Sequence, residues 1–233
     1  PRLFAIYFSA LLKRAFPEPN GVLLHTRSSG KLFNLARLRA KTKVTDLLVR
    51  DFLYADDAAF LAHSEPELQH MCDSFASACT ELGLRISLGK TVVMGQNTPN
   101  IPHITINGTT LNTVNRFTYL GSTVCDTNSL DAELDIRIGK ASTTFGRIQK
   151  RVWGNSHLYH SVKFEVYKAC VLSTLLYGSE SWATHMKHEH RLNAFHFRCL
   201  RSILGLTWND RVPNTEILKI SEMWDMYTML RSR

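Results

Sequence analysis

No apolar run in this chain of 233 residues reaches the ~18 residues that a membrane-spanning helix needs. Nothing at its start resembles a signal peptide. Cysteine is scarce: Cys72, Cys79, Cys125, Cys170 and Cys199 are odd in number, scattered, and never spaced C-x-x-C. That argues against a disulfide framework and for a reduced intracellular setting. Internal repeats, low-complexity tracts and long linkers are also missing. What the chain has in excess is positive charge, a net +8, which favours a polyanionic partner. Its 44% hydrophobic content is enough to build one large domain or two modest ones.

Acid is nearly absent from the first fifth of the chain. Residues 1–50 hold ten Lys or Arg against Glu18 and Asp46, residues 51–115 two against seven acids, and residues 116–233 sixteen against eleven, so the net charges run +8, −5 and +5. The acidic middle contains "FLYADDAAFLA" (52–62), in which Asp56 and Asp57 interrupt an otherwise apolar stretch. Two ionised carboxylates at a buried hairpin tip repel each other and cost desolvation energy unless a cation compensates. A hard divalent ion such as Mg²⁺ prefers such oxygens, and two ions ~3.5–4 Å apart form the centre of polymerases and nucleases. An Asp-Asp pair in an exposed turn has no such meaning, so the dipeptide alone leaves both readings open.

The pattern of the chain is α+β, then α. Residues 3–16 have the composition of an amphipathic to buried helix, and "HTRSSGKLFNLARLRAKTKV" reads as a hairpin turning at Ser28-Ser29-Gly30. In its second strand Arg37, Arg39, Lys41 and Lys43 fall on one face by period two. They form either a solvated face or a row of phosphate contacts. The double aspartate is expected in a tight turn between two short strands. Ser64-Glu65-Pro66-Glu67 is a capping box with proline in the first turn, and it opens a helix carrying Leu68, Met71, Cys72, Phe75, Cys79 and Leu82, stopped by Gly83. A strand over 84–94, a hairpin through Asn107-Gly108 and a strand or turn at "FTYLGSTV" follow. Helices are expected over 130–151, 161–177 and 188–204, with another from Asn214. Gly178 and Gly205 end the second and third.

Tyr54-Ala55-Asp56-Asp57 resembles the Tyr-x-Asp-Asp box of reverse transcriptases, framed by "VRDFL" before and "AAFLAHS" after. Further blocks follow in the order of a non-LTR (LINE-type) retrotransposon reverse transcriptase. "ELGLRISLGKTVVM" (81–94) is similar to the next motif, "FTYLGS" (117–122) to the primer grip, and "LLYGSESW" (175–182) with "RCLRSILGLTWNDRVPN" (198–214) to the helical thumb. The resemblance covers essentially the whole chain. It implies a right-hand polymerase with a partial palm at 1–127, an antiparallel sheet with packed helices, and an all-helical thumb at 128–233. The implied reaction is RNA-templated DNA synthesis, with two Mg²⁺, or Mn²⁺ as substitute, assisting transfer of a dNTP to a primer 3′-hydroxyl. Asp56 falls on the principal metal ligand and Asp57 on the weaker one.

The implied partners are an RNA template, a DNA primer and dNTP, with no membrane. The implied location is a retrotransposon ribonucleoprotein of cytoplasm and nucleus. The family's third metal-binding carboxylate precedes this stretch, because "PRLFAIYFSALLKRAF" resembles the helix just after that motif. The expectation is therefore a fragment, inactive alone, that lacks the fingers, the first palm motifs and any endonuclease of the polyprotein. The alternative is a catalytically silent, basic nucleic-acid-binding remnant.

Several residues carry two readings. Lys90 matches a lysine assigned to protonating pyrophosphate, or is a solvated loop lysine. Tyr54, Tyr119, Leu120 and Gly121 fall on nucleic-acid-facing positions of the family, and the last three could equally end an ordinary strand. At 100° per residue Leu134, Ile138, Ala141, Phe145 and Ile148 form an apolar stripe, while Arg137, Lys140, Arg147 and Arg151 form a second arc. That arc either meets duplex phosphates or keeps the helix soluble. His185, His188, His196 and Cys199 have the look of a zinc site, or are polar-face histidines with Cys199 on an apolar stripe.

Overall fold

The computed structural model describes residues 2–17, 21–27, 41, 44–98 and 100–233. Contacts divide the chain into two units, Pro1–Gly121 and Ser122–Arg233.

In the first unit, helix α1 (Arg2–Ala15) packs on helix α2 (Glu65–Glu81). Ser64 caps α2 by accepting the Glu67 N–H at 3.4 Å, and the Glu67 carboxylate reaches back to the His63 N–H at 3.2 Å. The expected stripe on α2 proves to be two. Met71, Ala78 and Cys79 face Leu11, Ala15 and Phe16, while Cys72 and Ala76 face Val93, Ile104, Ile106 and Leu111. A helix apolar on two sides must be covered on both, so α2 is sandwiched between α1 and the short strands.

Those strands pair two by two. β1 (Val22–Arg27) and β2 (Val44–Val49) are antiparallel, from Val22↔Val49 to Arg27↔Val44. β3 (Asp51–Tyr54) and β4 (Asp57–Phe60) form the aspartate hairpin. β5 (Val92–Val93) lies parallel to β8 (Asn112–Thr113). β6 (Thr105–Ile106) and β7 (Thr109–Thr110) flank the expected Asn107-Gly108 turn, whose φ angles of 50° and 76° are both left-handed. Such a turn matches strand twist and favours this dipeptide. β9 (Arg116–Tyr119) completes the unit. The strand expected over 84–94 shrinks to β5, because residues 87–91 close a turn. There the Thr91 N–H and hydroxyl both donate to the Ser87 carbonyl, at 3.0 and 2.9 Å.

The second unit starts with β10 (Ser122–Cys125) and continues as helices: α3 (Asp131–Arg147), α4 (His160–Val166), α5 (Met186–Leu204), α6 (Asn214–Ser221) and α7 (Met226–Arg231). The single helices expected over 130–151 and 161–177 both change pitch. A π-helical turn, Gln149–Trp153, follows α3, and another, Tyr167–Leu172, extends α4 before a last α-turn at Ser173–Leu175. Gly178 has φ +75°, and a Cβ there would stand 2.7 Å from the Ser122 hydroxyl, so glycine is favoured. Leu134, Ala141, Tyr167, Val171, Leu192, Leu200 and Ile217 make the core.

Candidate active site and nucleic-acid surface

The hairpin is tighter than the sequence suggested. Its loop is Ala55-Asp56, closed by the Tyr54↔Asp57 pair, so the turn sits one residue earlier than Asp56-Asp57. Ala55 accepts a left-handed φ of +52° to make the two-residue reversal. Asp56 is thus a loop residue and Asp57 the first residue of β4. The two carboxylates are inequivalent by position.

Expected burial of the pair is overturned. Both aspartates are exposed, as are Phe52 and Tyr54 at 50% and 65%. The reason is the anchoring. Phe60, at the open end, packs edge-on to Phe16 and Phe75 with centroids 5.3 and 4.9 Å away. The Arg50 guanidinium beside it covers the Phe16 ring at 4.5 Å and bonds Asp51 at 3.1 Å. The turn end projects from this anchor into solvent, where the carboxylates keep their hydration. Desolvation therefore places no demand for a cation there. Among the described residues no group of three or more His, Cys, Asp or Glu gathers to hold a metal.

Tyr119 comes to the hairpin. Its hydroxyl donates to the Phe52 carbonyl at 2.9 Å. Burial, and then the Asp57 carboxylate, push its phenol above the ordinary range. Leu120 and Gly121 follow with φ angles of 48° and 82°. Lys90 is exposed in the 87–91 turn and, among the described residues, forms no ion pair with either aspartate. Of the basic strand, Lys41 is exposed, while Arg37, Arg39 and Lys43 lie outside the described residues.

On α3 the row of four cations does not survive. Arg137 is only 4% exposed. Its Nε donates to Glu133 at 2.6 Å, and its guanidinium stacks on Tyr177 at 4.6 Å. The other Glu133 oxygen accepts the Thr123 N–H at 2.7 Å. Glu133 and Arg137 are one turn apart beside the Leu134–Ala141 stripe, so they enter the core as a neutralised pair. That spacing was the available signal, and charge-by-charge counting of arcs passes over it. Lys140, Arg147 and Arg151 are exposed. Arg151 lies in the π-turn, beyond the reach of a 100° projection.

The histidines correct a second expectation, since His188 is 2% and His196 0% exposed, not on a polar face. They also part company. His188 Nε2 lies 3.1 Å from Asp131, which accepts from Lys187 at 2.8 Å as well, and its Nδ1 accepts the His185 N–H at 3.1 Å. The Lys187 hydrogen bond above all holds the Asp131 carboxyl down at about 2. His196 Nδ1 instead meets the Tyr167 hydroxyl at 2.9 Å. Burial lowers its pKa to about 4, against the Trp224 backbone and the Asp225 carboxylate. Burial pushes the Cys199 thiol up to about 12. The zinc reading thus has its donors in two separate clusters.

No protein-family model matches the chain, and no solved structure matches it. Over 188 residues, 77% of its length, the chain is 25% identical to a transposon-derived protein of Caenorhabditis elegans, of which it covers 67%. Over 197 residues it is 25% identical to the RNA-directed DNA polymerase from mobile element jockey of Drosophila melanogaster, 79% of this chain and 22% of that protein. Its Drosophila funebris counterpart is 28% identical over 188 residues, 74% of this chain and 20% of that protein. The relatives are mobile-element proteins. The chain spans about a fifth of the length of the two polymerases. Among the described residues no helix is long and apolar enough to cross a membrane.

Proposed function

We propose that the chain is part of an RNA-directed DNA polymerase of a non-LTR retrotransposon, with residues 1–127 in its palm and residues from 128 onward in its thumb. The observation that carries this reading is the Tyr54-Ala55-Asp56-Asp57 box folded as a hairpin turn that offers both carboxylates to solvent. Similarity to the two jockey polymerases supports it. The donors are hard oxygens of the kind Mg²⁺ and Mn²⁺ select. Asp56 and Asp57 would hold the metal together with substrate phosphates, water and a carboxylate from another segment of the parent protein. Bound there, Mg²⁺ supplies charge stabilisation for in-line displacement at a nucleotide phosphorus. Lys90, exposed in its turn, is placed in sequence to give a proton to the leaving pyrophosphate. Lys140, Arg147 and Arg151 bind phosphates of the template–primer duplex, fixing position without reading sequence.

Primer extension on an RNA template with Mg²⁺ or Mn²⁺ tests the reading. The parent protein is expected to extend the primer and to stop doing so with Asp56→Asn. The chain by itself is expected to give no product above an Asp56→Ala control, since among the described residues no third His, Cys, Asp or Glu gathers with the pair. Extension by the parent that survives Asp56→Asn overturns the assignment. A second reading is a nucleic-acid-binding remnant without chemistry, supported by similarity to a protein described as transposon-derived and not as a polymerase. A stop codon or frameshift immediately upstream in the coding DNA supports the remnant. An open frame carrying an aspartate in a strand context supports the polymerase.

A further inference from the structure

The aspartate hairpin is gripped firmly at its root. Phe60 and Arg50 hold the open end against Phe16 and Phe75, and the Leu61 N–H donates to the Arg50 carbonyl at 2.8 Å. Toward the turn the side chains of Phe52, Leu53 and Tyr54 are all exposed. A two-stranded ribbon alone is marginal in water, so the position of its tip depends on what else touches it. Tyr119 does so at Phe52, two residues before Tyr54, through a hydrogen bond of 2.9 Å to the main chain. Phe52 and Tyr54 pair with Ala59 and Asp57 and share one face of the hairpin. On the other side of the tie, the chain reverses at once through Leu120 and Gly121. A hydroxyl that donates to a backbone carbonyl cannot at the same time donate to a phosphate, so the proton of Tyr119 has a task within the protein.

We infer that Tyr119 is a positioning residue, whose hydroxyl fixes the Asp56–Asp57 turn at a set separation from the Leu120–Gly121 turn. The inference rests on the reading of Asp56 and Asp57 as metal ligands. It adds that the phenol-to-carbonyl bond of Tyr119 contributes to the register between the ligands and the 120–121 turn. Tyr119→Phe removes that bond and keeps the ring, so the half-buried packing of the residue is preserved.

The test uses this chain in three forms: wild type, Tyr119→Phe, and Asp56→Asn with Asp57→Asn. Two measurements are made on each by NMR: amide hydrogen exchange over residues 52–60, and line broadening by added Mn²⁺ at residues 55–57 and 120–121. In the wild type Mn²⁺ is expected to broaden both segments, and the double aspartate variant is expected to lose both effects. Tyr119→Phe should exchange the hairpin amides about fivefold faster, the worth of one hydrogen bond. It should keep broadening at 55–57 and lose it at 120–121 relative to that segment, with the urea midpoint of the chain unchanged. If the aspartate variant loses broadening while Tyr119→Phe matches the wild type in both measurements, the inference is wrong and the metal reading stands. If the aspartate variant broadens like the wild type, the metal reading fails. The exchange rates of Tyr119→Phe then still decide whether the tie holds the hairpin.

Discussion

Acidifying the protein from pH 7 to pH 4 should destabilise the second unit through one side chain. His196 is fully buried on α5 against Tyr167, and burial holds its folded pKa at about 4, against 6.5 when free. As the pH falls through 6.5 the unfolded chain takes up a proton that the folded chain refuses until about pH 4. More protons on the unfolded state mean stability that falls with pH. The contribution is intact above about 6.5 and is lost progressively down to about 4. At 1.36 kcal/mol for each pH unit between those values, the loss is about 3 kcal/mol, a large part of the ~5–15 kcal/mol that holds an ordinary domain together. The groups whose pKa values are lowered, Asp131, Asp210 and Asp225, add their losses chiefly below this window.

Urea unfolding followed by helical circular dichroism at pH 7, 5.5 and 4 measures the effect, with His196→Phe as the reference. The variant removes the hydrogen bond between Tyr167 and His196 and should be less stable by about 1 kcal/mol at pH 7. Its decline toward pH 4 should nevertheless be shallower than that of the wild type by about 3 kcal/mol. Parallel declines would refute the argument, as would a His196 ring resonance that titrates near 6.5.

Arg137→Met should destabilise the second unit by about 3–5 kcal/mol by stranding Glu133 in the core, and Arg137→Met with Glu133→Gln should recover much of that; equal losses in thermal unfolding would count against a buried pair. Replacing Lys140, Arg147 and Arg151 by Gln should flatten the slope of log K for duplex binding against log [salt] by about 2 and leave helical content intact. An unchanged slope would show that this face never meets nucleic acid. In the parent protein, Asp57→Asn should retain more primer extension than Asp56→Asn, because one residue is in the loop and the other on the strand; equal loss would remove the distinction.

The local signals in the sequence were good guides where a residue acts on its own backbone. The Ser64 cap, the Asn107-Gly108 turn and the ending at Gly205 depend on neighbours a few positions away, and the structure has them all. Signals failed where the answer depended on tertiary burial. Arg137 sits on a helix with the same spacing as its exposed neighbours Lys140 and Arg147, and only the pairing with Glu133 and the Tyr177 ring take it inside. His188 and His196 read as polar because histidine usually is, yet each found a partner that makes burial tolerable, Asp131 for one and Tyr167 for the other. The π-turns after α3 and after α4 escaped because a 3.6-residue pattern carries no mark of a local change in pitch. At Asp56 and Asp57 the motif was legible but its surroundings were not. Flanking apolar residues promised burial, and a hairpin packed chiefly at its open end leaves them in water.

The double-sided burial of α2 bears on how the first unit comes apart. Its two apolar clusters, one with α1 and one with the short strands, have no independent existence, since both draw members from the same helix. Fraying either side alone exposes one face of α2 without releasing the chain entropy that ordered it, so partial opening gains little. The first unit should therefore lose its secondary structure as one cooperative foldon. A substitution such as Ala76→Asp, facing only the strands, should loosen α1 on the opposite side of the helix as much as it loosens the strands themselves.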